Sequence, residues 1–239
     1  MKKILSLLLS VILFMSVIPV SKASAAVYTP EEYTLPAGGT LDVSTLKLNT
    51  LRPVIYKLDK PGATYTITGE TIGDTCLRIV ISADCTVVLD SATITAGISY
   101  DDGTDKTYSG GTKAHGVFEI GEGKSVEFRM NGTNRIYAKN YYSVNDELLG
   151  ILMGYKAKVT FSGTGSLMIS GRIGQKIYNK AWSGMKSYVE MKSGHVEVYG
   201  FGNSERTGSV DFYLPAGAID FKYYGGSFRN ICDDNDSSS

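Results

Sequence analysis

Histidine occurs twice and tryptophan once in this chain of 239 residues, while cysteine numbers three and proline six. Net formal charge is missing too, because 24 lysines and arginines balance 24 aspartates and glutamates. Each shortage removes something. Neither His115 nor His195 stands in a zinc-protease helix motif, and no G-x-S-x-G nucleophile elbow occurs. The charge balance argues against a nucleic-acid partner, whose binding is dominated by basic contacts to phosphate, and against an anionic membrane surface. Beyond the N-terminal stretch no segment is apolar enough to span a membrane. Helical periodicity is scarce: Tyr142 to Leu152 is the one tempting segment, and Gly150 and Gly154 weaken it.

What is present starts at the N-terminus. Lys2 and Lys3 form a basic start, Ile4 to Ile18 is a mostly apolar run, Pro19 breaks it, and Ala23-Ser24-Ala25 supplies small residues for cleavage. This is the pattern of a secretory signal peptide over residues 1–25. A membrane anchor would need about 20 apolar residues, more than the run provides. The protein is therefore expected outside the cell, and the absence of cysteine after the cleavage point argues against a lipoprotein. Removing the leader takes Lys2, Lys3 and Lys22, leaving 21 bases against 24 acids and a net charge of about −3. Neutral ligands such as sugars stay open. Export permits a disulfide, and Cys76 and Cys85 could meet across a strand bend. Three buried thiols, Cys232 included, are the favoured reading, and an odd count leaves at least one unpaired in a monomer.

From Thr64 onward β-branched and aromatic residues alternate with polar ones, and glycines punctuate them, which is strand periodicity. The segments repeat: CTVVLDSATITA from Cys85, KSVEFRMNGTNRIYA from Lys124, AKVTFSGTGSLMISG from Ala157, SYVEMKSGHVEVYG from Ser187 and AIDFKYYGGSFRN from Ala218. Aligned on Val87, Val126, Val159, Val189 and Ile219, they are 39, 33, 30 and 30 residues apart. A period of roughly 20–50 residues marks a solenoid, and strands without helices make each repeat one coil. The expected fold is all-β: a short right-handed parallel β-helix of about five coils over residues 61–231, with 26–60 as N-terminal linker and cap and 232–239 as a disordered tail. An antiparallel β-sandwich is the alternative, and the whole-coil repeat counts against it. Coils would stack about 4.8 Å apart. That would put Gly132, Gly163, Gly194 and Gly225 at corners, where the Asn134 amide can satisfy backbone groups. The longest step holds an insertion, Ser99 to Lys113, expected to project as a loop.

The runs YTITG (Tyr65–Gly69), TVVLDSATIT, GVFEIGEGKSVEFRMNGTN, GILMGYKAKVTFSGTGSLMISG and GMKSYVEMKSGHVEVYG carry a resemblance. Over residues 64–202 the chain resembles a family of bacterial exported carbohydrate-binding domains found in clostridia and their relatives, with the GTN and GTGSL phrases the most specific parts. The resemblance implies a pectate-lyase-like parallel β-helix, a plant or cell-surface polysaccharide as partner, and Ca²⁺ bound to the coils. The chain departs from that pattern at Ser187 and Tyr188, where the family carries two aspartates. Ca²⁺ favours carboxylate oxygens, so the departure weakens that metal site.

The insertion SYDDGTDKTYSGG brings Asp101, Asp102 and Asp105 together in a glycine-rich loop able to wrap Ca²⁺, although EF-hand spacing is not met. A solvated acidic turn is the plainer alternative. Sugar rings pack their C–H faces on exposed aromatic planes. Trp182, in the irregular IYNKAWSG, is the leading anchor, followed by Tyr141 and Tyr142 beside Asn140, then Tyr178, Tyr100 and Tyr108; Tyr137 and Tyr199 also lie near coil edges. Strand tyrosines that simply cover the core are the plainer reading for many of these. Catalysis has thin support. Arg78, Arg129, Arg135 and Lys158 are candidate bases for a lyase, but none stands two or four residues from an aspartate cluster on one strand face, and Asp90 with Glu127 is a conceivable glycosidase pair that the sequence alone does not place. The chain is read as a secreted, non-catalytic polysaccharide-binding protein with no nucleic-acid partner and no membrane span. A polysaccharide lyase or hydrolase on the same scaffold and a structural or adhesive surface protein are the alternatives. Oligomeric state stays open.

Overall fold

Each β-branched segment bounded by a turn forms a short strand, and every strand pairs in parallel with its counterpart one coil away. A computed structural model describes residues 30–46, 54–72, 76–98, 113–140, 146–170, 173–175, 186–199 and 219–231. The first coil holds β1 (Glu31–Thr34) and β2 (Thr40–Asp42), the second β3 (Val54–Leu58) and β4 (Thr64–Glu70), and the third β5 (Leu77–Ile81) and β6 (Cys85–Ile98). The fourth holds β7 (Lys113–Ile120), β8 (Ser125–Asn131) and β9 (Thr133–Asn140), and the fifth β10 (Asp146–Met153), β11 (Lys158–Gly163) and β12 (Ser166–Ser170). The sixth holds β13 (Ile173–Gln175), β14 (Ser187–Met191) and β15 (His195–Tyr199), and the seventh β16 (Ile219–Tyr223) and β17 (Ser227–Ile231).

These strands build an all-β, parallel, solenoid-like fold with three walls. The first wall is the sheet β1-β3-β5-β7-β10-β13. The other two belong to one curled sheet. Its one arm runs β2-β4-β6-β8-β11-β14-β16, and its other runs β6-β9-β12-β15-β17. The long β6 serves both arms: Cys85 to Asp90 pair with β8, and Thr93 to Ile98 pair with β9. Ser91 turns the corner between them at φ 54°, a left-handed conformation uncommon outside glycine.

Side chains of a strand alternate between faces, so one residue in two enters the interior and stacks on its equivalent in the next coil. The second wall contributes the ladder Tyr65–Val87–Phe128–Phe161–Met191. The first contributes Ile79–Phe118–Ile151–Ile173, and the third Ile94–Ile136–Ile169–Val198. Phe128 stacks on Phe161 at 5.9 Å and meets Phe118 edge-on at 5.1 Å, which ties the first wall to the second. Each fully buried side chain of this kind contributes about 1.5–3 kcal/mol.

The structure revises several details. Residues 31–58, expected as linker and cap, already carry β1, β2 and β3, so two coils precede the five repeats. The alternation was invisible there because all four residues of β1 are exposed, and among the described residues β1 pairs with β3 alone. Val126, Val159 and Val189 do align, but Val126 faces Cys85 rather than Val87, and Val189 faces Phe221 rather than Ile219. Both slips are two residues, which keeps every side chain on its face. Gly165, not Gly163, stacks on Gly132 at the corner. A Cβ on Gly165 would lie 2.3 Å from the Gly132 carbonyl oxygen, so no larger residue fits. Gly226, not Gly225, takes the same place over Gly194. The segment with helical pattern is the strand β10. Cys76 and Cys85 are both buried, and Cys85 is a free thiol. Residues 1–25, the insertion over 99–112, Cys232 and the tail lie outside the described residues.

The Asn134 amide satisfies backbone groups as expected. It is 1% exposed in the interior row that holds Leu167 and Val196. Its Oδ1 accepts from the Ala92 N–H at 2.8 Å, and its Nδ2 donates to the Asn131 and Ser166 carbonyls at 2.9 and 3.1 Å. One side chain thereby binds three successive coils. At the N-terminal end a 3₁₀ turn, Val43–Thr45, buries Val43 completely, and Asp42 caps it by accepting from the Ser44 N–H at 3.0 Å.

Candidate functional site

The residues between the inward ladders point outward, and on the second wall they form rows one strand spacing apart, about 4.8 Å. One row reads Thr64–Thr86–Glu127–Thr160–Glu190–Lys222. Its neighbour reads Thr40–Thr66–Val88–Arg129–Ser162. The N-terminal half of this face is therefore a patch of threonine hydroxyls, extended by Thr68 in the next row. The C-terminal half is charged, and there Thr160, Ser162 and Glu190 are buried, at 6–8% exposure.

Glu127 sits where the two halves meet. The Ser162 hydroxyl donates to its Oε1 at 2.6 Å, and Arg129 Nη2 lies 3.4 Å from its Oε2. The Ser162 hydrogen bond chiefly holds the Glu127 carboxyl below the ordinary glutamate range; partial burial opposes the shift, and the charges of Arg129 and Lys192 add to it. Two rungs further, Lys158 Nζ pairs with the buried Glu190 at 2.8 Å, and Lys222 lies 5.7 Å over the Tyr188 ring. Every one of these groups is fixed by backbone pairing rather than by a loop.

A second feature lies where the first wall turns into the second. A cleft of about 190 Å³ is lined by Val80, Ile120, Leu152 and Tyr155 with the carboxylates Glu119 and Glu122. Arg78 grips Glu119 with two hydrogen bonds of 2.9 and 3.0 Å, and Glu119 Oε1 also accepts from the Gly116 N–H at 3.1 Å. Both side chains are 14% exposed. At that burial the pair fixes the cleft wall more than it adds stability, since desolvation offsets much of the attraction. The turn below demands Gly154, because a Cβ there would lie 2.6 Å from the Glu122 nitrogen. On the third wall His195 is a corner residue, 3.2 Å from Glu197, which in turn lies 3.7 Å from Arg229.

The sequence-derived anchors Trp182, Tyr141, Tyr142, Tyr178, Tyr100 and Tyr108, and the proposed Ca²⁺ ligands Asp101, Asp102 and Asp105, all lie outside the described residues. Among the described residues no group of three or more His, Cys, Asp or Glu side chains is arranged to hold a metal ion. Tyr137 lies in an outward row of the third wall beside Ser170, and the Tyr199 side chain lies outside the described residues. Asp90 and Glu127 do not form a carboxylate pair. Asp90 aligns with Asn131 and Glu127 with Thr86, an offset of four residues, about 13 Å along the strand. Of the basic groups considered for a lyase, Arg78, Arg129 and Lys158 are each engaged by a glutamate. The Glu127–Ser162 contact was not foreseen. Its signal is the spacing of 35 residues, one coil plus two, which returns a residue to the same outward face in the neighbouring row.

The chain matches no protein-family model, no curated protein and no solved structure. The resemblance of its repeats to exported carbohydrate-binding domains accordingly enters below as a proposal.

Proposed function

We propose that this protein is a secreted, non-catalytic carbohydrate-binding protein that takes a polysaccharide along the outward face of its second wall. The observation that carries the reading is the pair of outward rows, in which accessible threonine hydroxyls lead at a fixed backbone repeat to the partly exposed Glu127 and Arg129, with the buried Ser162 holding Glu127 from behind. Hydroxyls and charge-assisted donors and acceptors are the groups that exchange hydrogen bonds with sugar hydroxyls. Their placement on paired strands leaves little ordering entropy to be lost on binding. The cleft beside Glu119 and Glu122 offers an apolar floor and, in the exposed Glu122, a carboxylate acceptor, a combination suited to one ring of the chain. The repeat phrases that resemble exported carbohydrate-binding domains, and the N-terminal secretion pattern, agree with this reading.

A glycosidase on this face is disfavoured on chemical grounds. Its general acid needs a raised pKa, whereas Glu127 is shifted downward and Glu190 is held in an ion pair. The test is a glycan array followed by affinity electrophoresis, run with Ca²⁺ and with chelator. Selective retardation by a polysaccharide that weakens in Thr66→Val, Arg129→Ala and Ser162→Ala variants is expected. Loss on chelation, reproduced by asparagine at Asp101, Asp102 and Asp105, would assign Ca²⁺ to that loop. Binding untouched by the second-wall variants but lost in Trp182→Ala moves the site off this face. No retardation by any glycan refutes the proposal, and a Ca²⁺-dependent rise in ultraviolet absorbance on polyuronate would replace it with a lyase.

A further inference from the structure

The two ends of the solenoid differ. At the N-terminal end the first coil keeps its interior side chains Leu35, Leu41 and Val43 buried. At the C-terminal end the interior ladders run out into solvent. Phe221 and Tyr223 continue the rows of Val189 and Met191, yet they are 39% and 59% exposed, and Tyr224 beside them is 64% exposed. Phe221 packs on Phe228 of β17 at 4.6 Å, forming an apolar shelf across the end. Among the described residues β16 pairs with β14 alone and β17 with β15 alone.

The direction of the backbone groups on β16 follows from one bond. The Tyr224 N–H donates to Met191 on β14 at 2.8 Å. In a parallel ladder alternate residues face the same neighbour, so Asp220 and Lys222 also turn their N–H and C=O toward β14. Ile219, Phe221 and Tyr223 then offer theirs to the free edge. An unpaired row of this kind is a template for another strand.

We propose that the occupant is the β16 strand of a second copy of this chain, paired antiparallel about Phe221. The sequence IDFKY is complementary to itself in that register. Phe221 faces its own copy across the two-fold axis and Ile219 faces Tyr223, so all three residues with free edge groups meet free edge groups. About six inter-strand hydrogen bonds result. Asp220 then stands opposite the copy's Lys222, in the closer, non-hydrogen-bonded pairing where cross-strand charges interact most. Asp220, already 3.1 Å from Lys186 in its own chain, comes to lie between two cations. A two-fold axis normal to the sheet keeps inner faces together, so Phe221, Tyr223 and Phe228 of both copies close one continuous interior. The other edge is less suited: on β17, pairing about Arg229 sets arginine against arginine, and pairing about Phe228 sets Ser227 against Arg229 with no opposite charge.

Sedimentation equilibrium over a concentration series tests this on the purified protein, with circular dichroism and thermal melting as a check on folding. A monomer–dimer equilibrium is expected. Lys222→Asp sets like charges opposite each other twice and weakens it about tenfold or more. The exchanged pair Asp220→Lys with Lys222→Asp recovers most of the loss. Tyr223→Pro removes an edge-facing N–H, which proline tolerates, together with the hydrogen bond that the Tyr223 hydroxyl donates to the Gly226 carbonyl, so it should abolish the dimer and change the melt of the coils no more than Tyr223→Phe, which removes that hydroxyl alone and keeps the edge N–H. A monomer at every concentration, a dimer that Tyr223→Pro leaves intact, or an open polymer series from head-to-tail stacking would each overturn the assignment.

Discussion

Replacing Asn134 by leucine sets two accounts of this interior against each other. Leucine matches the apolar row of Leu167 and Val196 in which Asn134 sits, so packing alone predicts a gain. Hydrogen-bond accounting predicts a loss. The substitution orphans the Ala92 N–H and removes one donor from each of the Asn131 and Ser166 carbonyls. Asn134 is 1% exposed, so water does not readily replace it. Orphaning a buried polar group costs about 1–3 kcal/mol, and the carbonyls keep a second lone pair, which puts the total near the lower end, about 3–5 kcal/mol. Burying the leucine side chain returns about 1.5–2 kcal/mol. The expected net loss is about 1–3.5 kcal/mol, a fall in melting temperature of about 2–14 °C for a domain of this size. Asn134→Ala, without the returned burial, should lose about 3–5 kcal/mol. Urea unfolding monitored by circular dichroism reads both, as a lower midpoint at unchanged slope. A leucine variant as stable as the parent, or more so, refutes the reasoning and makes the corner a matter of packing.

Two further predictions concern titration and thiol chemistry. The Glu127 carboxyl is lowered in the fold, so its contribution to stability is complete above the ordinary glutamate pKa, about 4.3. It is lost as pH falls through the lowered folded value. Ser162→Ala removes the main cause, so the Glu127 titration midpoint measured by carbon NMR should rise, and an unchanged midpoint would deny that bond its role. Burial, helped by the charge of Asp84, pushes the Cys85 thiol up to about 11, so it stays protonated near pH 8 and is a poor nucleophile. Iodoacetamide should leave Cys85 unmodified in the native protein and modify it after denaturation, whereas labelling at the rate of a free cysteine would mean that the β5–β6 corner opens readily.

The parallel coils were legible because repeat and alternation appear together: Val126, Val159 and Val189 mark one interior row, and the sequence spacing of 33 and 30 residues returns each to the same place. Asn134 was legible for the same reason, as an amide beside a corner glycine. The strands before Thr64 were not legible, because edge strand β1 buries nothing and β3 buries Ile55 and Leu58 three residues apart, so neither shows apolar alternation with a period of two. The two-residue slips at Cys85 and Phe221 arose because β-strand pattern fixes the face but not the rung. The polar rows of the second wall stayed hidden for a different reason. Glu127 and Ser162 are 35 residues apart, and their contact exists only once the register between β8 and β11 is known.

The interior row Tyr65–Val87–Phe128–Phe161–Met191–Tyr223 advances one rung at each step, yet the chain spends 22, 41, 33, 30 and 32 residues on those steps. Contour length and axial rise are thus uncoupled. The molecule works as a ruler whose graduations are set by backbone pairing, whatever the length of chain between them. Insertions can lengthen a corner without moving any mark on the scale, and duplication of a coil would extend the scale by one mark without redrawing the rest. Selection acting on such a molecule can vary its loops and its reach independently.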